Sequence, residues 1–536
     1  MPTQRIAFKE WLPDQPSILE SVSEANNVIP LAVGYGPFKS PVDYSGAASE
    51  NLNNVFAAKL DNDVFVFAGG ATKLFKVDNG DLSLVDESKS GGYTGTNRWQ
   101  FLQFGNLALA SNGSEKIQSF DVNNSTAFAD VSSDAPIAKY ITVVRDFVVA
   151  GNIGAGTSPN KVQWSGINDA SIWTTTATSQ SDYQIIPDGG DITGVVGGEF
   201  GIVFLEKAIV RMSYIGSPLI FQFDTISRNV GCIEGNSIAQ YSGTAYFLSD
   251  DGFYATNGQT LIGIGSEKVD RYFFNNANIA DIDSISAAVD PERNLVIWNY
   301  GNVSGGRSLL IYNFETQKWC EADTEVNYLS TLATSGATLD GLDSAYNVTA
   351  GSFVATKQYT IRTVGTTDFT LIGAVANTVG VLFTATGVGS GTGVAIDMAA
   401  SAAGMKTIDT LTTTLDDRLY KGGKFLFGGV KDNKIVTFTG TNATGSIITN
   451  DLEYGYNSVV TLIRPSVNNG SASVQIASRK MLDDEINYGS TVIASQEDRC
   501  SVRSSGRYHR IALTPTGANW SSAIGMDIDY STQGTR

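Results

Sequence analysis

The sequence predicts an all-β chain built on a β-propeller of six or seven blades, and three features lead there. Apolar runs recur at blade-length spacing, the segment after several of them repeats too, and tight-turn residues punctuate the whole. One unit reads completely. Between Asp283 and Asp323, the run Ser284 to Val289 is followed by a turn at Asp290-Pro291-Glu292-Arg293-Asn294 and by Leu295-Val296-Ile297-Trp298. A turn closing at Gly305-Gly306 leads to Leu309-Leu310-Ile311-Tyr312, and the polar stretch Asn313 to Lys318 enters a fourth run at Trp319. Short apolar runs between Pro, Gly and Asn clusters are antiparallel strands joined by tight turns, and four in succession make one blade.

Runs like the one at Leu295 start at 64, 107, 147, 202 and 245, so successive starts lie 40 to 55 residues apart. That is the length of chain a four-stranded blade takes up. The third-strand phrases Leu74 to Asp78, Ser119 to Asn123, Val162 to Ser165 and Ile311 to Phe314 each precede a polar turn and then a large apolar residue: Leu84, Phe128, Trp173 and Trp319. These are expected to fill the gap between neighbouring sheets.

The chain divides on this basis into five parts. Residues 1–50 have few strand signals and form an arm pinned by Trp11, Val28 and Ile29, which joins the far end of the chain. Residues 51–350 form the propeller. Residues 351–405 are a small β module, rich in Gly and Thr, inserted so as to split the last blade, and 406–446 close the propeller. Residues 447–536 lose the blade period and alternate polar with apolar, as in Ser473-Val474-Gln475-Ile476-Ala477, predicting a β-sandwich-like platform. One helix is expected at Ser266–Phe273, with Ser266 as its N-cap and Val269 and Phe273 on one face.

Charge narrows the function. Lys plus Arg is 36 against 54 Asp plus Glu, a formal net charge of −18, which excludes a protein whose main task is to grip phosphates. An acidic surface around DNA would instead let it slide. No charged n-region with an apolar h-region follows Met1, so no export signal is expected. Cys232, Cys320 and Cys500 are isolated and read as inert buried thiols.

Chemistry is thinly supplied. His509 is the only histidine, which leaves no multi-His metal site and predicts a hydrogen-bonding role inside the platform. Asp250-Asp251 and Asp416-Asp417 are adjacent carboxylates that fit turns better than a glycosidase pair. The glycines at 387, 389, 391 and 393 lack the Gly-Lys-Ser/Thr of a phosphate loop, and Asp61-Asn62-Asp63 and Asp78-Asn79-Gly80-Asp81 read as hairpin turns rather than Ca²⁺ loops. The expectation is a non-enzyme with no catalytic residue, cofactor or metal.

Several phrases, in order along nearly the whole chain, resemble the tail nozzle, or tail tubular protein B, family of short-tailed bacteriophages, which includes packaged-DNA stabilisation proteins. They are Trp11-Leu12-Pro13-Asp14, Asn27-Val28-Ile29-Pro30 and Gly34-Tyr35 at the front. Glu267-Lys268-Val269-Asp270-Arg271, Ser284 to Tyr300 and Tyr312 to Trp319 follow in the middle. Thr338-Leu339-Asp340, Leu415-Asp416-Asp417-Arg418, Gly440, Ser505-Gly506-Arg507-Tyr508-His509-Arg510 and Ala523-Ile524-Gly525-Met526-Asp527 complete the pattern. The segment between Asp343 and Thr407 departs from it.

The resemblance implies a virion protein of the tail, made in the host cytoplasm. It would form a homohexameric ring below the adaptor ring, retain the packaged genome and enclose the channel through which double-stranded DNA leaves. A tail fibre or tailspike and the host envelope at the tip would be further partners. Residues 499–536 run against the overall charge, with five Arg against two Asp. Guanidinium groups suit carboxylates at interfaces, so the candidate residues for meeting the adaptor or a neighbouring subunit are Trp11, Arg499, Arg503, Arg507, Tyr508 and Arg510. The alternative is a propeller that binds or cleaves host glycan, with Trp298 and Tyr300 as sugar-stacking rings.

Overall fold

The six apolar runs are the second strands of six successive sheets in the computed structural model, which describes residues 2–61, 63–78, 82–95, 97–176, 178–333, 347–397 and 425–533. They fall in Asp63–Gly70, Leu107–Ser111, Phe147–Ile153, Gly201–Leu205, Thr244–Leu248 and Leu295–Gly301. A second strand has a neighbour on each side and a packed sheet on each face, so it reads as a continuous apolar run instead of an alternating one. Leu295 to Tyr300 is accordingly buried at every position. The sheets cover 52–86, 100–130, 138–185, 192–227, 239–263 and 286–322, each with four antiparallel strands in sequence order, and form blades 1 to 6.

Blade 7 is assembled from three stretches of chain. Tyr328–Ala333 is innermost, Phe425–Lys431 and Lys434–Thr437 come from beyond the inserted segment, and Val42–Asp43 is the outermost strand. Lys434 pairs with Asp43 at 2.6 Å across that last seam. The innermost strands of blades 7 and 1 pack together, so the ring closes at seven blades. The expected boundary at residue 50 is corrected by this: residues 42 and 43 of the arm belong to the propeller. Hydrogen-bonding needs explain it, because without this short strand Lys434–Thr437 would be left as a bare sheet edge.

Apolar cores lie between blades, and three of the four predicted plugs fill them. Phe128 meets Phe67 at 5.5 Å and Phe120 at 5.1 Å between blades 1 and 2. Trp173 lies with Leu109 and Val148 between blades 2 and 3, and Trp319 packs on Trp298 and Phe253 between blades 5 and 6. Leu84 is half-buried and packs against the core between blades 7 and 1. The inserted module is a separate four-stranded sheet over 347–397, in the order Asn347–Thr349, Val394–Asp397, Gln358–Thr363, Leu382–Thr384. Its first strand begins before residue 351, and it has its own core of Phe353, Tyr359, Phe369 and Phe383. The glycine-rich stretch folds onto this core, with the Gly393 amide donating to Thr367 Oγ1 at 2.8 Å. The phrases at 338–343 and 407–418, including Asp416-Asp417, lie outside the described residues, as do Asn62 and residues 79–81.

The platform's two 17-residue strands, Leu452–Asn468 and Cys500–Thr516, each serve two layers. Their first halves pair with each other. On its other side Leu452–Asn468 runs beside Ser522–Thr532 from Ser458 onward, while the second half of Cys500–Thr516 runs beside Ser471–Arg479. The corner lies near Gly506, where the register slips between Glu453 and Ser458 and the buried positions switch from even to odd numbers. Buried side chains from both layers, among them Val460, Ile463, Val474, Leu513 and Ile528, share one core with blade 6 and the arm. The arm strand Thr3–Ala7 extends one layer beside Ser522–Thr532, and Val22–Asn26 joins the platform to the outer strand of blade 6 through the pair Asn26 and Glu321. Gly34 permits the close approach at this seam: its φ is +71°, and a Cβ there would lie 2.2 Å from the Ala523 carbonyl oxygen.

The one α-helix among the described residues, α1, spans Asp270–Asn276. It starts four residues later than expected, and Ser266 does not cap it. The cap comes from the arm: Asp14 accepts from the backbone N–H of Arg271 at 2.9 Å and of Tyr272 at 2.8 Å. A carboxylate here satisfies orphan donors and meets the positive end of the helix dipole.

Candidate functional site

Two charged places bear on function, the outer surface of the platform and the mouth of the propeller axis. The platform residues proposed as a docking surface do not act as one group. Trp11 is not at the surface: it is 1% exposed, its ring lies edge-on to Tyr272 at 5.0 Å, and its Nε1 donates to the Ser23 carbonyl at 3.2 Å. A large ring at the arm's seam contributes most by being buried, which removes it from any interface with another chain. Arg510 is committed within the chain as well. It donates to Asp451 Oδ2 at 3.1 Å, and Arg479 reaches the same oxygen at 2.5 Å. The Asp451 side chain is 1% exposed, so this carboxylate holds two guanidinium groups inside the platform.

Arg499, Arg503, Arg507 and Tyr508 remain on the outside. Arg499 pairs with Glu497 at 3.0 Å and Arg507 with Glu453 at 2.8 Å. The Arg507 guanidinium lies over the Tyr508 ring, 5.0 Å from its centroid. Exposed pairs of this kind contribute little to stability and stay open to exchange with a partner's carboxylates. Arg499 precedes the strand and the exposed Arg503 lies on the outward side of its first half, whereas Arg507 follows the corner at Gly506. Tyr508 lines a cleft of about 460 Å³ between the arm and the platform, together with Gln4, Lys9 and Glu453.

His509, next in the chain, is fully buried. Nε2 is 2.8 Å from Ser458 Oγ and Nδ1 is 2.6 Å from Ser478 Oγ. Burial pushes its pKa down to about 4, so the ring is neutral at ordinary pH and ties the two layers together through hydroxyls.

Seven of the phrases quoted above contribute side chains to one core at blade 6: Trp11, Val28, Tyr35, Val269, Trp298, Trp319 and Met526. Lys268 pairs with Glu10 at 2.7 Å beside Trp11, Asn313 donates to the Pro30 carbonyl at 3.0 Å, and the Tyr35 hydroxyl donates to the Lys9 carbonyl at 2.8 Å. Arg5 pairs with Asp527 at 2.8 Å. Glu321 lies at this seam, accepting from the Tyr272 hydroxyl. Burial pushes its carboxyl up to about 7, the Tyr272 bond opposes that, and Glu24 and Asp323 add to it. The folded chain therefore binds this proton more tightly than the unfolded chain does. The associated stability is complete below about pH 4.5 and is lost as pH rises through about 7. Glu321→Gln is expected to leave thermal stability nearly unchanged at pH 4.5 and to raise it by about 1–3 kcal/mol at pH 8, read from unfolding curves across that range.

The second charged place is a cavity of about 280 Å³ on the propeller axis, at the starts of the innermost strands. Blades 1, 2, 3 and 7 contribute from strand starts, and blades 5 and 6 from the loops that enter them. Arg98 Nη2 donates to Asn54 Oδ1 at 3.1 Å and to the Leu329 carbonyl at 3.0 Å, and its plane lies 5.0 Å from the Tyr328 ring centroid. Arg98 is deep in the molecule but faces the cavity, and burial pushes its pKa down to about 10. Across the axis, Glu234 Oε1 accepts from Asn236, and Gln100 reaches Asn236 Oδ1 at 3.1 Å. Burial raises the Glu234 pKa, and the Asp283 charge adds to it. These positions are scattered between residues 53 and 328, so nothing in the local sequence points to them.

The rings and carboxylates weighed for glycan chemistry are used elsewhere. Trp298 is fully buried and donates to the Ser237 carbonyl at 2.8 Å, and Tyr300 is 2% exposed. Asp250 and Asp251 belong to a turn closed by Ser249 N–H on the Gly252 carbonyl, with Asp251 accepting from the Tyr254 hydroxyl at 2.8 Å. Cys232, Cys320 and Cys500 are buried free thiols, and burial pushes each pKa up.

No protein-family model and no curated protein matches the chain. Among solved structures, the chain is similar to the computationally designed protein Ika8 over 55% of its own length and 94% of that chain (TM-score 0.33, 11% identity). It is similar to the Neurospora crassa Pan2 WD40 domain over 55% and 88% (TM-score 0.34, 8% identity). It is also similar to the dihydro-heme d1 dehydrogenase NirN over 54% and 59% (TM-score 0.31, 13% identity). The propeller assignment rests on the chain's own seven sheets.

Proposed function

We propose that the chain is a structural virion protein, the tail nozzle of a short-tailed bacteriophage. Six copies form a ring beneath the tail adaptor, retain the packaged genome and line the distal channel through which DNA leaves. The observation that carries this reading is the meeting of the resemblance phrases, distant in sequence, at one seam where both chain ends fuse with blade 6. That seam gives each copy a rigid platform at one side of a propeller wall, a shape suited to stacking on another ring. The net charge of −18 supports the channel role, because an acidic wall gives DNA no counterion-release gain from sticking. The outward arginines of the platform supply the docking edge, and the inserted module lies at the tip toward the host envelope.

Electron microscopy of the purified chain, alone and mixed with the adaptor protein, is expected to show six-fold rings that cap the adaptor. Persistent monomers under all conditions would sink the reading. Arg499→Glu combined with Arg503→Glu is expected to weaken adaptor binding at least tenfold while shifting chain stability by less than about 1 kcal/mol. Arg510 is unsuitable for this test, since its reversal would set a glutamate against buried Asp451.

A further inference from the structure

We infer that the axial cavity of the propeller is a binding site for one hydroxyl-rich ligand of monosaccharide size. Arg98 and Lys139 would donate to its oxygens, and Glu234 and Asp283 would accept from its hydroxyls.

The argument starts from charges that face each other without touching. Among the described residues, neither Arg98 nor Lys139 has a carboxylate within ion-pair distance, and the same holds from the other side for Glu234, Asp281 and Asp283. Charges withdrawn from water are normally paired directly. Of these groups only Arg98 and Glu234 are held back from solvent, and they are kept apart by open space of about 280 Å³, while Asp281 and Asp283 stand exposed at its rim. Arg98 is held in place at the wall by its Nη2, which donates to two acceptors.

The wall decides the class of ligand. It consists of amide, carboxylate, hydroxyl and cationic side chains with two tyrosines, and it has no aliphatic residue. An apolar ligand would leave these groups unsatisfied, and a simple anion would face the three carboxylates. A polyol offers both donors and acceptors on a small frame, matching cations on one wall and carboxylates on the other. The frame is already fixed. Asn54 is held by Ser330 and Trp99, Arg307 locks Ser284 through a 2.8 Å bond to its carbonyl, and Gln100 bridges to Asn236. Asp281, Asp283 and Asn97 at the rim are exposed, so the cavity is reached from solvent.

The site belongs to the single chain and does not depend on ring formation, so it stands or falls separately from the nozzle reading. The test is ligand-observed NMR and calorimetry on the full chain with glucose, glucosamine, glucuronate and inorganic phosphate, each up to about 50 mM. Saturable binding of at least one of the three sugars is expected, with a Kd in the region of 0.1–10 mM, roughly what a small polar ligand reaches. Asp283→Asn and Lys139→Gln, both at the cavity wall and away from the blade cores, are each expected to weaken it at least fivefold with an unchanged circular dichroism spectrum and Tm. The inference is overturned if no sugar binds, if only phosphate binds, or if sugar binding is the same in both variants as in the parent chain.

Discussion

Asp451→Asn is expected to cost the platform about 3–5 kcal/mol, the range found when one partner of a buried charge cluster is removed. The substitution keeps the shape of the side chain but leaves Arg479 and Arg510 with no carboxylate at a site where Asp451 is 1% exposed. Asp451 sits just before Leu452–Asn468, and its two partners lie on Ser471–Arg479 and Cys500–Thr516. Losing it therefore loosens three strands at the corner between the two layers. Urea unfolding followed by tyrosine and tryptophan fluorescence is expected to show an early transition for the platform, with the propeller unfolding later. Replacing all three residues by apolar side chains of similar volume is expected to recover most of the loss, because the desolvation of three charges disappears with them.

Trp11→Ala is expected to destabilise the seam by about 3–5 kcal/mol, the cost of deleting a large buried ring and leaving a cavity. The ring contacts Tyr272 of α1, and the same arm segment supplies the Asp14 cap, so the variant should also fray that helix. Hydrogen exchange is the discriminating measurement: amides of 270–276 and of the arm are expected to lose protection together, while blades 2 to 4 keep theirs. Protection lost uniformly across all blades would contradict a local role.

The legible and illegible parts of this fold differ for physical reasons. Second strands such as Leu295–Gly301 announce themselves because both faces are buried. The second strand of blade 7, Phe425–Lys431, is displaced by the inserted module and carries Gly428 and Gly429. At Gly429 a Cβ would lie 2.1 Å from the Tyr328 carbonyl oxygen, so beyond the apolar start Phe425-Leu426-Phe427 close approach between strands replaces the apolar signature. Innermost strands such as Gln100–Phe104 are short and partly polar because one end faces the axial cavity. The start of α1 was misplaced for a different reason: its cap is a side chain more than 250 residues away, which no local pattern of Ser, Thr or Asp can signal.

The candidate site divides in the same way. A run of arginines is visible in sequence, but whether each is free is settled by what lies opposite. Arg510 faces Asp451 and Arg503 faces solvent, although both are outward positions of one strand. The parity switch at Gly506 was hidden because a corner depends on partner strands, not on the strand's own residues. His509 was legible as a hydrogen-bonding residue, since a lone histidine among polar neighbours has few other uses, and its two serine partners are in place.

The outermost strand of blade 7, at Val42–Asp43, pairs with Val436 and Thr437. During synthesis the early strand therefore waits while nearly 400 further residues are added, about 20–80 s at ordinary elongation rates. Blades 1 to 6 can form on the nascent chain in order, but the toroid remains an open arc until that meeting occurs. An open arc exposes the flank of blade 1 to solvent and to neighbouring nascent chains, so growth temperature and holdase supply should govern the soluble yield of this protein more than the stability of any one blade.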